Sequence, residues 1–299
     1  MGAELSRRGL LAGAAASALL LVPAAPAVAN DRRRTARARL RELERSYAGR
    51  IGAFALDTGT GATVGHRVHE RFPLLSTFKV LAGGAILRTA RQSDPGLLDR
   101  LIRWTAADLV PYSPVTELHV DTGLTMAELC HAAITRSDNT AGNLMLRQLG
   151  GPSAITRFAR SLGDPVTRLD RWEVELNDWH PAERRDTTTP AAMAANLRAL
   201  TVGHGLVRAD RERLIGWLRA SVTGDTRIRA GLPATWTVGD KTGTSSSYGG
   251  ANDLAIAWPP HAAPLIISVY TNRDAADGVV DNAVIASTAT ILVDALGRR

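Results

Sequence analysis

The fold is decided by residues 76–87, STFKVLAGGAIL. The apolar run that ends this stretch predicts a buried helix. Residues three apart share one face of a helix, so Lys79 would lie one turn above the hydroxyl of Ser76. A serine hydroxyl becomes a good nucleophile when a neighbouring base takes its proton, and an amine can be that base where burial disfavours its charged form. The stretch therefore predicts a nucleophilic serine, with its base, at the start of a central helix.

Lysine is rare in this chain, and this makes the lysine of that stretch conspicuous. Lys79 and Lys241 are the only two lysines among 36 basic residues. Arginine does not lose its proton in proteins, whereas an ammonium group can shift its pKa and transfer a proton. The pattern indicates that both lysines take part in proton transfer, with codon bias as the alternative explanation.

The composition is that of a soluble globular protein with a large core. The chain has 299 residues, of which 45% are hydrophobic and 22% are charged. Its single cysteine, Cys130, excludes an intramolecular disulfide and a multi-cysteine metal site. None of the seven histidines lies in a metal motif. We expect His66 and His69 to be surface residues on opposite faces of a strand. No metal and no cofactor are predicted.

The N-terminus has the pattern of an export signal. Residues 6–11, SRRGLL, resemble a twin-arginine motif, and an alanine- and leucine-rich segment then leads to the small-x-small cleavage site AVA at 27–29. We therefore expect a signal peptide over residues 1–29 and a secreted protein, or one in a periplasm-like envelope space, without stable membrane insertion after cleavage. An uncleaved anchor is the alternative, and the prolines of the segment argue against it.

The strongly basic character of the chain raises the question of nucleic acid. The net charge is +7 and the pI is about 10.4, with the densest basic run inside a predicted helix over residues 31–47. Leu40, Leu43 and Tyr47 give this helix one apolar stripe and leave a solvated basic back. No aromatic residues interleave the arginines and no binding motif is present, so we predict no nucleic-acid partner. The positive surface could instead attract anionic substrates or envelope polymers.

The order of predicted elements indicates a sheet built from both ends of the chain. A hairpin over residues 50–68 precedes a helical middle, and strand patterns return at 236–238, 254–258 and 265–271 before a final helix at 282–296. The expected class is α/β (α+β), with an antiparallel sheet flanked by helices and an inserted all-helical domain. We assign residues 30–72 and 219–299 to the α/β domain and residues 73–218 to the helical domain.

Three further motifs complete the chemistry. Residues 137–139 are S-D-N, residues 241–244 are K-T-G-T on a predicted strand, and residues 171–177, RWEVELN, lie in a loop between helices. S-x-x-K, S-D-N and K-T-G in this order are the motif set of class A β-lactamases and penicillin-binding proteins. The sequence resembles a class A serine β-lactamase, of an actinobacterial penicillinase type, over essentially all of the mature chain. The resemblance implies the β-lactamase/transpeptidase-like fold.

The resemblance also implies catalytic roles for five residues. Ser76 would attack the lactam carbonyl and form an acyl-enzyme. Ser137 would pass a proton to the departing lactam nitrogen with help from the lysines. Glu173 and Asn177 would hold the water that hydrolyses the acyl-enzyme. Either Lys79 or Glu173 could be the base for acylation, and the sequence leaves that choice open.

A substrate-binding set follows from the same resemblance. The oxyanion would lie between the backbone N–H groups of Ser76 and Thr244. Asn139 would bind the side-chain amide of the substrate, and Tyr112 would wall the mouth of the site. Helix capping is the alternative for Asn139, packing for Tyr112 and an ordinary surface position for the arginine at 227. The residues expected around the substrate carboxylate are those of the K-T-G strand and the arginine behind it: Lys241, Thr242, Gly243, Thr244, Ser245 and Arg227.

The chain departs from the family pattern at a few positions. Many members have proline where Val174 follows the loop glutamate, which leaves the cis or trans state of that peptide open. Carbapenem-hydrolysing relatives often pair two cysteines at the positions of Leu75 and Ser245, and the absence of that pair argues against carbapenemase activity. An ion pair between Arg171 and Asp186 is expected to close the Glu173 loop.

The resulting hypothesis is hydrolysis of penicillins and some cephalosporins, which gives antibiotic resistance. A cell-wall D-alanyl-D-alanine peptidase and a non-hydrolysing penicillin sensor are the alternatives from other classes. The peptidase would not need the loop that carries Glu173, which this chain has in full, and a sensor would normally be tethered by a membrane helix. The expected partner is a small-molecule β-lactam, and we expect a monomer.

Overall fold

A five-stranded antiparallel sheet joins the two ends of the chain in the computed structural model, which describes residues 25–298. The strand order is β2-β1-β9-β8-β7, so β7 lies at an edge. The strands of this sheet and of two short two-stranded ladders, β3 with β6 and β4 with β5, are β1 (Gly49–Asp57), β2 (Thr63–His66), β3 (Phe72–Pro73), β4 (Leu101–Ile102), β5 (Leu124–Thr125), β6 (Thr187–Thr188), β7 (Thr237–Thr244), β8 (Ala251–Trp258) and β9 (Leu265–Arg273). The predicted antiparallel sheet flanked by helices is confirmed.

Eight α-helices within the described residues surround this sheet. They are α1 (Ala25–Tyr47), α2 (Phe78–Gln92), α3 (Met126–Thr135), α4 (Asn139–Leu149), α5 (Ser153–Ser161), α6 (Pro190–Thr201), α7 (Arg208–Arg219) and α8 (Asn282–Ala295). None of the helices in the described part of the chain has the length and the apolar character needed to cross a membrane. The predicted twin-arginine motif lies outside the described residues.

The sheet separates two hydrophobic cores. On one face, Leu40 of α1 and Leu292 of α8 pack in one core with sheet residues such as Ile51 of β1. On the other face, the helical part contributes a larger core that includes Phe78 and reaches Tyr270 on β9. The central strands are buried on both faces, which is why β8 and β9 have long apolar runs instead of a simple alternation.

Local capping chemistry fixes where the central helices begin and end. Thr125 and Glu128 form a capping box at the start of α3. Thr189 accepts a hydrogen bond from the N–H of residue 192 at the start of α6, and proline follows it at the first helical position. Gly150 ends α4 in the left-handed conformation, with φ +87°. These helix ends follow directly from the sequence signals.

The two histidines of the first hairpin differ from their prediction. β2 ends at His66, so His69 lies beyond the strand in an exposed turn. His66 is half-buried, and its Nε2 lies 3.1 Å from Glu44 Oε2 on α1. The expectation of two surface residues on opposite faces of one strand was wrong because the strand is shorter than the alternating pattern suggests.

Two glycines give a matched test of the packing. A Cβ on Gly231 would lie 2.1 Å from the backbone oxygen of Ala286 on α8, whereas a Cβ on the helical Gly216 would meet nothing within 4 Å. Gly231→Ala should destabilise the protein by roughly 1–3 kcal/mol through overpacking. Gly216→Ala should instead stabilise it by about 0.5–1 kcal/mol, because alanine is the better helix former. Urea denaturation of both variants measures the difference, and equal free energies of unfolding would contradict this account of α8 packing.

Candidate active site

A cavity of about 580 Å³ lies between β7 and the helical part of the chain, within the size range of small-molecule sites, which is about 300–1,000 Å³. Ser76 lies on its wall, in the 3-10 turn Leu75–Thr77 that leads into α2. The residues that line the cavity are Ser76, Tyr112, Pro114, Arg136, Ser137, Asn139, Asn177, Val222, Thr223, Arg227, Thr242, Gly243 and Thr244. The structure thus brings most of the predicted residues to one place, with Lys79, Glu173 and Lys241 buried beneath them.

The hydroxyl of Ser76 touches both candidate bases. Lys79 Nζ donates to Ser76 Oγ at 2.9 Å, and Ser76 Oγ donates to Glu173 Oε1 at 3.2 Å. Lys79 Nζ and Glu173 Oε1 are 3.0 Å apart, and both side chains are fully buried. A proton that leaves Ser76 can therefore pass to Glu173, or to Lys79 when its amine is neutral, and both groups are within hydrogen-bond distance.

The ammonium group of Lys79 has more oxygen neighbours than it has protons. Besides Ser76 and Glu173, its Nζ lies 2.9 Å from the Ser137 carbonyl and 2.7 Å from Asn139 Oδ1. A charged lysine has three N–H donors, so four oxygen atoms compete for them. Burial lowers the pKa of Lys79, and the negative charge of Glu173 opposes that change. The arrangement suits an amine that gives up and regains a proton during a reaction.

Lys241 holds the hydroxyl of Ser137 from the other side. Its Nζ donates to Ser137 Oγ at 2.8 Å and to the carbonyl of Thr242 at 2.7 Å. Burial, followed by repulsion from Lys79, lowers the pKa of Lys241 well below its usual value. Ser137, in the left-handed region with φ +59°, thus has one lysine on its carbonyl and the other on its hydroxyl. Its hydroxyl can exchange a proton with a group bound in the cavity.

The Glu173 loop is held by two asparagines. Asn177 Nδ2 donates to Glu173 Oε2 at 2.7 Å, and Asn177 Oδ1 is buried without a hydrogen-bond partner among the described residues. On α4, Asn143 accepts from the Glu173 N–H at 2.9 Å and donates to the Glu173 carbonyl at 2.8 Å. The Glu173–Val174 peptide is cis. Sequence reasoning missed Asn143, although it lies one turn beyond Asn139 on the same helix.

The base of this loop is closed by the expected ion pair. Arg171 Nε lies 2.6 Å from Asp186 Oδ2, and Asp186 Oδ1 also accepts from the N–H groups of residues 170 and 171. Asp186 is fully buried. These three interactions fix the two ends of the loop against each other, so Glu173 is carried on a rigid support.

Gly243 lets the edge strand approach the nucleophile. A Cβ at this position would lie 2.8 Å from the Cβ of Leu75 and 3.2 Å from the backbone nitrogen of Ser76. Any side chain would therefore push β7 away from the turn that carries Ser76. The close approach puts Thr244 on the cavity wall together with Ser76, where the two backbone N–H groups are expected to bind one oxygen atom.

Of the predicted binding residues, Tyr112 lines the cavity and Ser245 does not. Tyr112 lines the mouth of the cavity with 63% of its surface exposed, and its carbonyl accepts from the Asn139 N–H at 3.0 Å. Ser245 does not line the cavity, since its hydroxyl donates to the carbonyl of Asn177 at 2.8 Å. The predicted contact of Ser245 with a substrate carboxylate does not fit this position, and its role here is to tie β7 to the Glu173 loop.

Arg227 lies behind the K-T-G strand and is nearly buried. Its guanidinium donates to the carbonyls of Gly243 and Asn252 at 2.8 and 2.7 Å, and to Thr244 Oγ1 at 2.7 Å. Asn282 Oδ1 accepts from its Nε at 2.9 Å. Burial lowers the pKa of Arg227, opposed by nearby carboxylates. The arginine therefore acts on the cavity through the position of Thr244 and through its charge.

Sequence reasoning missed the supporting role of one buried carboxylate, Asp138, and four residues that line the cavity. Asp138 is buried, and its Oδ2 accepts from the N–H groups of Val115 and Thr116, which fixes the loop that carries Tyr112. The S-D-N motif signalled this position without indicating its partners. The missed residues that line the cavity are Pro114, Arg136, Val222 and Thr223.

Comparison with known proteins gives a consistent result. A family described as the beta-lactamase enzyme family matches residues 35–296. The chain is 56% identical to the beta-lactamase AST-1 of Nocardia asteroides, over 87% of this chain and 83% of that protein. It is 48% identical to the carbapenem-hydrolyzing beta-lactamase KPC of Klebsiella oxytoca, over 86% and 87%.

Solved structures agree with these sequence relatives. A beta-lactamase from Streptosporangium roseum is 61% identical, covers 89% of this chain and 100% of that one, and superposes with a TM-score of 0.88. A single-site mutant of the class A beta-lactamase of the last common ancestor of Gram-negative bacteria is 52% identical over 88% and 98%, with a TM-score of 0.83. Both similarities extend over nearly the whole of the fold described above.

Arg227 gives the first test of this site. Arg227→Ala should lower kcat/KM for a penicillin roughly ten- to a hundredfold, the scale of a lost charge-assisted hydrogen bond. Steady-state kinetics with benzylpenicillin measures the effect, and thermal denaturation separates it from a loss of folded protein. Arg227→Lys is the matched variant, because it keeps the charge and loses the forked geometry. Unchanged penicillin kinetics in the alanine variant would remove Arg227 from the site.

Proposed function

The chain belongs to the β-lactamase enzyme family, and to class A within it, and from this premise we propose that its site hydrolyses penicillins and some cephalosporins through an acyl-enzyme on Ser76. The protein is a β-lactam hydrolase, and such hydrolysis gives antibiotic resistance. The observation that carries the proposed mechanism is the contact of one buried serine hydroxyl with both Lys79 and Glu173.

Acylation starts from the hydroxyl of Ser76. As Ser76 Oγ forms a bond to the lactam carbonyl carbon, its proton passes to Lys79 or to Glu173, both of which lie within 3.2 Å. The carbonyl oxygen becomes an oxyanion between the N–H groups of Ser76 and Thr244. The lactam C–N bond then breaks, and the nitrogen takes a proton from Ser137. Lys241 Nζ, which donates to the hydroxyl of Ser137, resupplies that proton, and the proton taken from Ser76 replaces it within the site, so no net proton is gained or lost.

Deacylation depends on Glu173. Its Oε2 is held by Asn177 Nδ2, and the unpartnered Asn177 Oδ1 is available to accept a hydrogen bond from the attacking water. Glu173 takes a proton from that water as the oxygen attacks the ester carbonyl. The ester bond to Ser76 then breaks, and Glu173 returns the proton to Ser76 Oγ, directly or through Lys79. A general base with this geometry contributes about 10²–10⁴-fold in rate.

Substrate binding uses the two walls of the cavity. The ring carboxylate lies against Thr242 and Thr244, with Lys241 and Arg227 supplying positive charge from beneath. Asn139, already bonded to Lys79 through Oδ1, faces the side-chain amide of the drug.

The peptidase and sensor alternatives are disfavoured by the Glu173 loop. An enzyme that only acylates has no need of a buried carboxylate fixed by Asn143, Asn177 and the Arg171–Asp186 ion pair. With a chromogenic cephalosporin, a hydrolase develops colour continuously, whereas a sensor or a slow peptidase stops after about one equivalent.

We also propose that the protein is exported and acts as a monomer outside the cytoplasm. The support for export is the SRRGLL motif at 6–11 and the AVA site at 27–29. Cleavage there would leave Asn30 as the first residue of the mature chain, at the start of the basic part of α1. Twin-arginine export carries folded proteins, which suits a chain with a single, buried cysteine.

Glu173→Gln separates the two halves of the reaction. The amide keeps the shape of the side chain and loses the base, so deacylation should slow by about 10²–10⁴-fold while acylation continues at a reduced rate. Mass spectrometry after mixing with benzylpenicillin should show a stable adduct on Ser76 with the full mass of the drug.

Two controls belong to this experiment. Glu175→Gln changes an exposed carboxylate on the same loop and should leave turnover at the parental rate. Ser76→Ala should show neither adduct nor turnover. Parental turnover in Glu173→Gln would contradict the role given to this residue, and a long-lived adduct on the unmutated protein would favour the sensor or peptidase.

Export is tested by replacing Arg7 and Arg8 with two lysines. The twin-arginine pathway depends on this pair, so the variant precursor should stay in the cytoplasm with residues 1–29 attached. Cell fractionation and N-terminal sequencing give the location and the cleavage site, and the parental chain should begin at Asn30. Normal secretion of the variant would exclude this route.

A further inference from the structure

The cationic side chains in and beneath the cavity differ in how they are bonded. Lys79, Lys241 and Arg227 are buried, and hydrogen bonds within the protein occupy them. Arg136 is the exception, because it is exposed and makes no hydrogen bond or ion pair through its side chain with any residue between 25 and 298. It nevertheless lines the cavity. A cation without a protein partner is therefore available to a group bound at the rim.

The backbone around Arg136 is well fixed, although its side chain is free. Arg136 caps the C-terminus of α3 through a hydrogen bond from its N–H to the carbonyl of Ala132. The carbonyl of the residue before it, Thr135, accepts from the N–H of Val222 at 3.1 Å. The origin of the guanidinium is thus constrained, and only its flexible stem can move.

The same contacts place Arg136 on the side of the cavity where the ring carboxylate of the substrate is proposed to bind. The loop that Thr135 holds continues to Thr223, whose hydroxyl lies 2.6 Å from Thr242 Oγ1 on the K-T-G strand. Arg136, Thr223 and Thr242 thus follow one wall from the rim inward. The wall of the Glu173 loop, marked by Asn177, is formed by other elements.

We propose that Arg136 is a specificity-determining residue that recognises a second negative charge on the substrate. The proposal rests on the function proposed above. The ring carboxylate lies against Thr242 and Thr244 deeper on this wall, with the charges of Lys241 and Arg227 beneath it, so it does not need Arg136. A substituent attached to the ring beside that carboxylate must extend toward the rim along the same wall, past Arg136. The substrates favoured are cephalosporins with an anionic substituent at this ring position.

The expected size of the change in KM follows from the exposure of Arg136. A solvent-exposed charge pair is weak and is screened by salt, so loss of the cation should raise KM by about two- to fivefold for an anionic substituent. Charge reversal replaces attraction by repulsion and should raise it by about tenfold. The chemistry takes place deeper in the cavity, and kcat should change little.

The experiment compares three cephalosporins that differ only in this substituent, which is anionic, neutral or cationic. Arg136→Gln and Arg136→Glu are assayed beside the parental protein. Arg136→Glu should raise KM for the anionic compound, leave the neutral one nearly unchanged and lower KM for the cationic one. The differences should shrink in about 0.5 M salt. Thermal denaturation checks that each variant is folded.

Arg37→Glu is the matched control. Arg37 is also exposed, and it lies on α1, whose helix packs on the opposite face of the sheet. This control changes the net charge by the same amount as Arg136→Glu, but far from the cavity. It should leave all three KM values at the parental level. Equal changes for the three compounds in Arg136→Glu, or the same pattern in Arg37→Glu, would overturn the proposal. Failure of the parental protein to hydrolyse any of them would instead contradict the proposed function.

Discussion

The site depends on the burial of two lysines and one glutamate beneath a serine pair. Lys79 and Glu173 are in contact at 3.0 Å with no exposure to solvent. Removing one partner of a buried pair typically costs roughly 3–5 kcal/mol, because the other charge is left without compensation. The geometry therefore has to be held by elements that cannot drift apart. That requirement explains the hydrogen bonds that link α2 to the α3–α4 junction through Lys79, this junction to β7 through Lys241, and α4 to the Glu173 loop through Asn143.

The position of the site between the two cores follows from the same requirement. Lys79 comes from a helix of the larger core, and Lys241 comes from the sheet that separates the cores. Gly243 allows the sheet edge to approach the turn of Ser76 closely. Neither core by itself holds the complete set of reacting groups, so the chemistry exists only where helix and sheet meet.

Much of the fold and of the site could be predicted from the sequence because the signals are local. The capping box at Thr125, proline after Thr189 and glycine after α4 mark helix ends by short-range chemistry. The three motifs give the reacting residues by resemblance to a family. Contacts between distant segments carry no such signal. The partners of Asn143 and Asp138, the direction of the Ser245 hydroxyl and the place of Arg136 on the rim depend on how separate elements pack, and the sequence pattern is silent on that.

Gly243 has a further consequence for how this protein can change over generations. A position where even a methyl group would collide with the residue before the nucleophile tolerates little mutation, and the same holds for buried groups whose every donor is occupied. Heritable variation in the range of drugs handled must then enter through side chains at the mouth, such as Tyr112, which is mostly exposed. Close packing fixes the residues that carry out the reaction. The residues that select the substrate lie on an exposed surface and can change without disturbing the reacting residues.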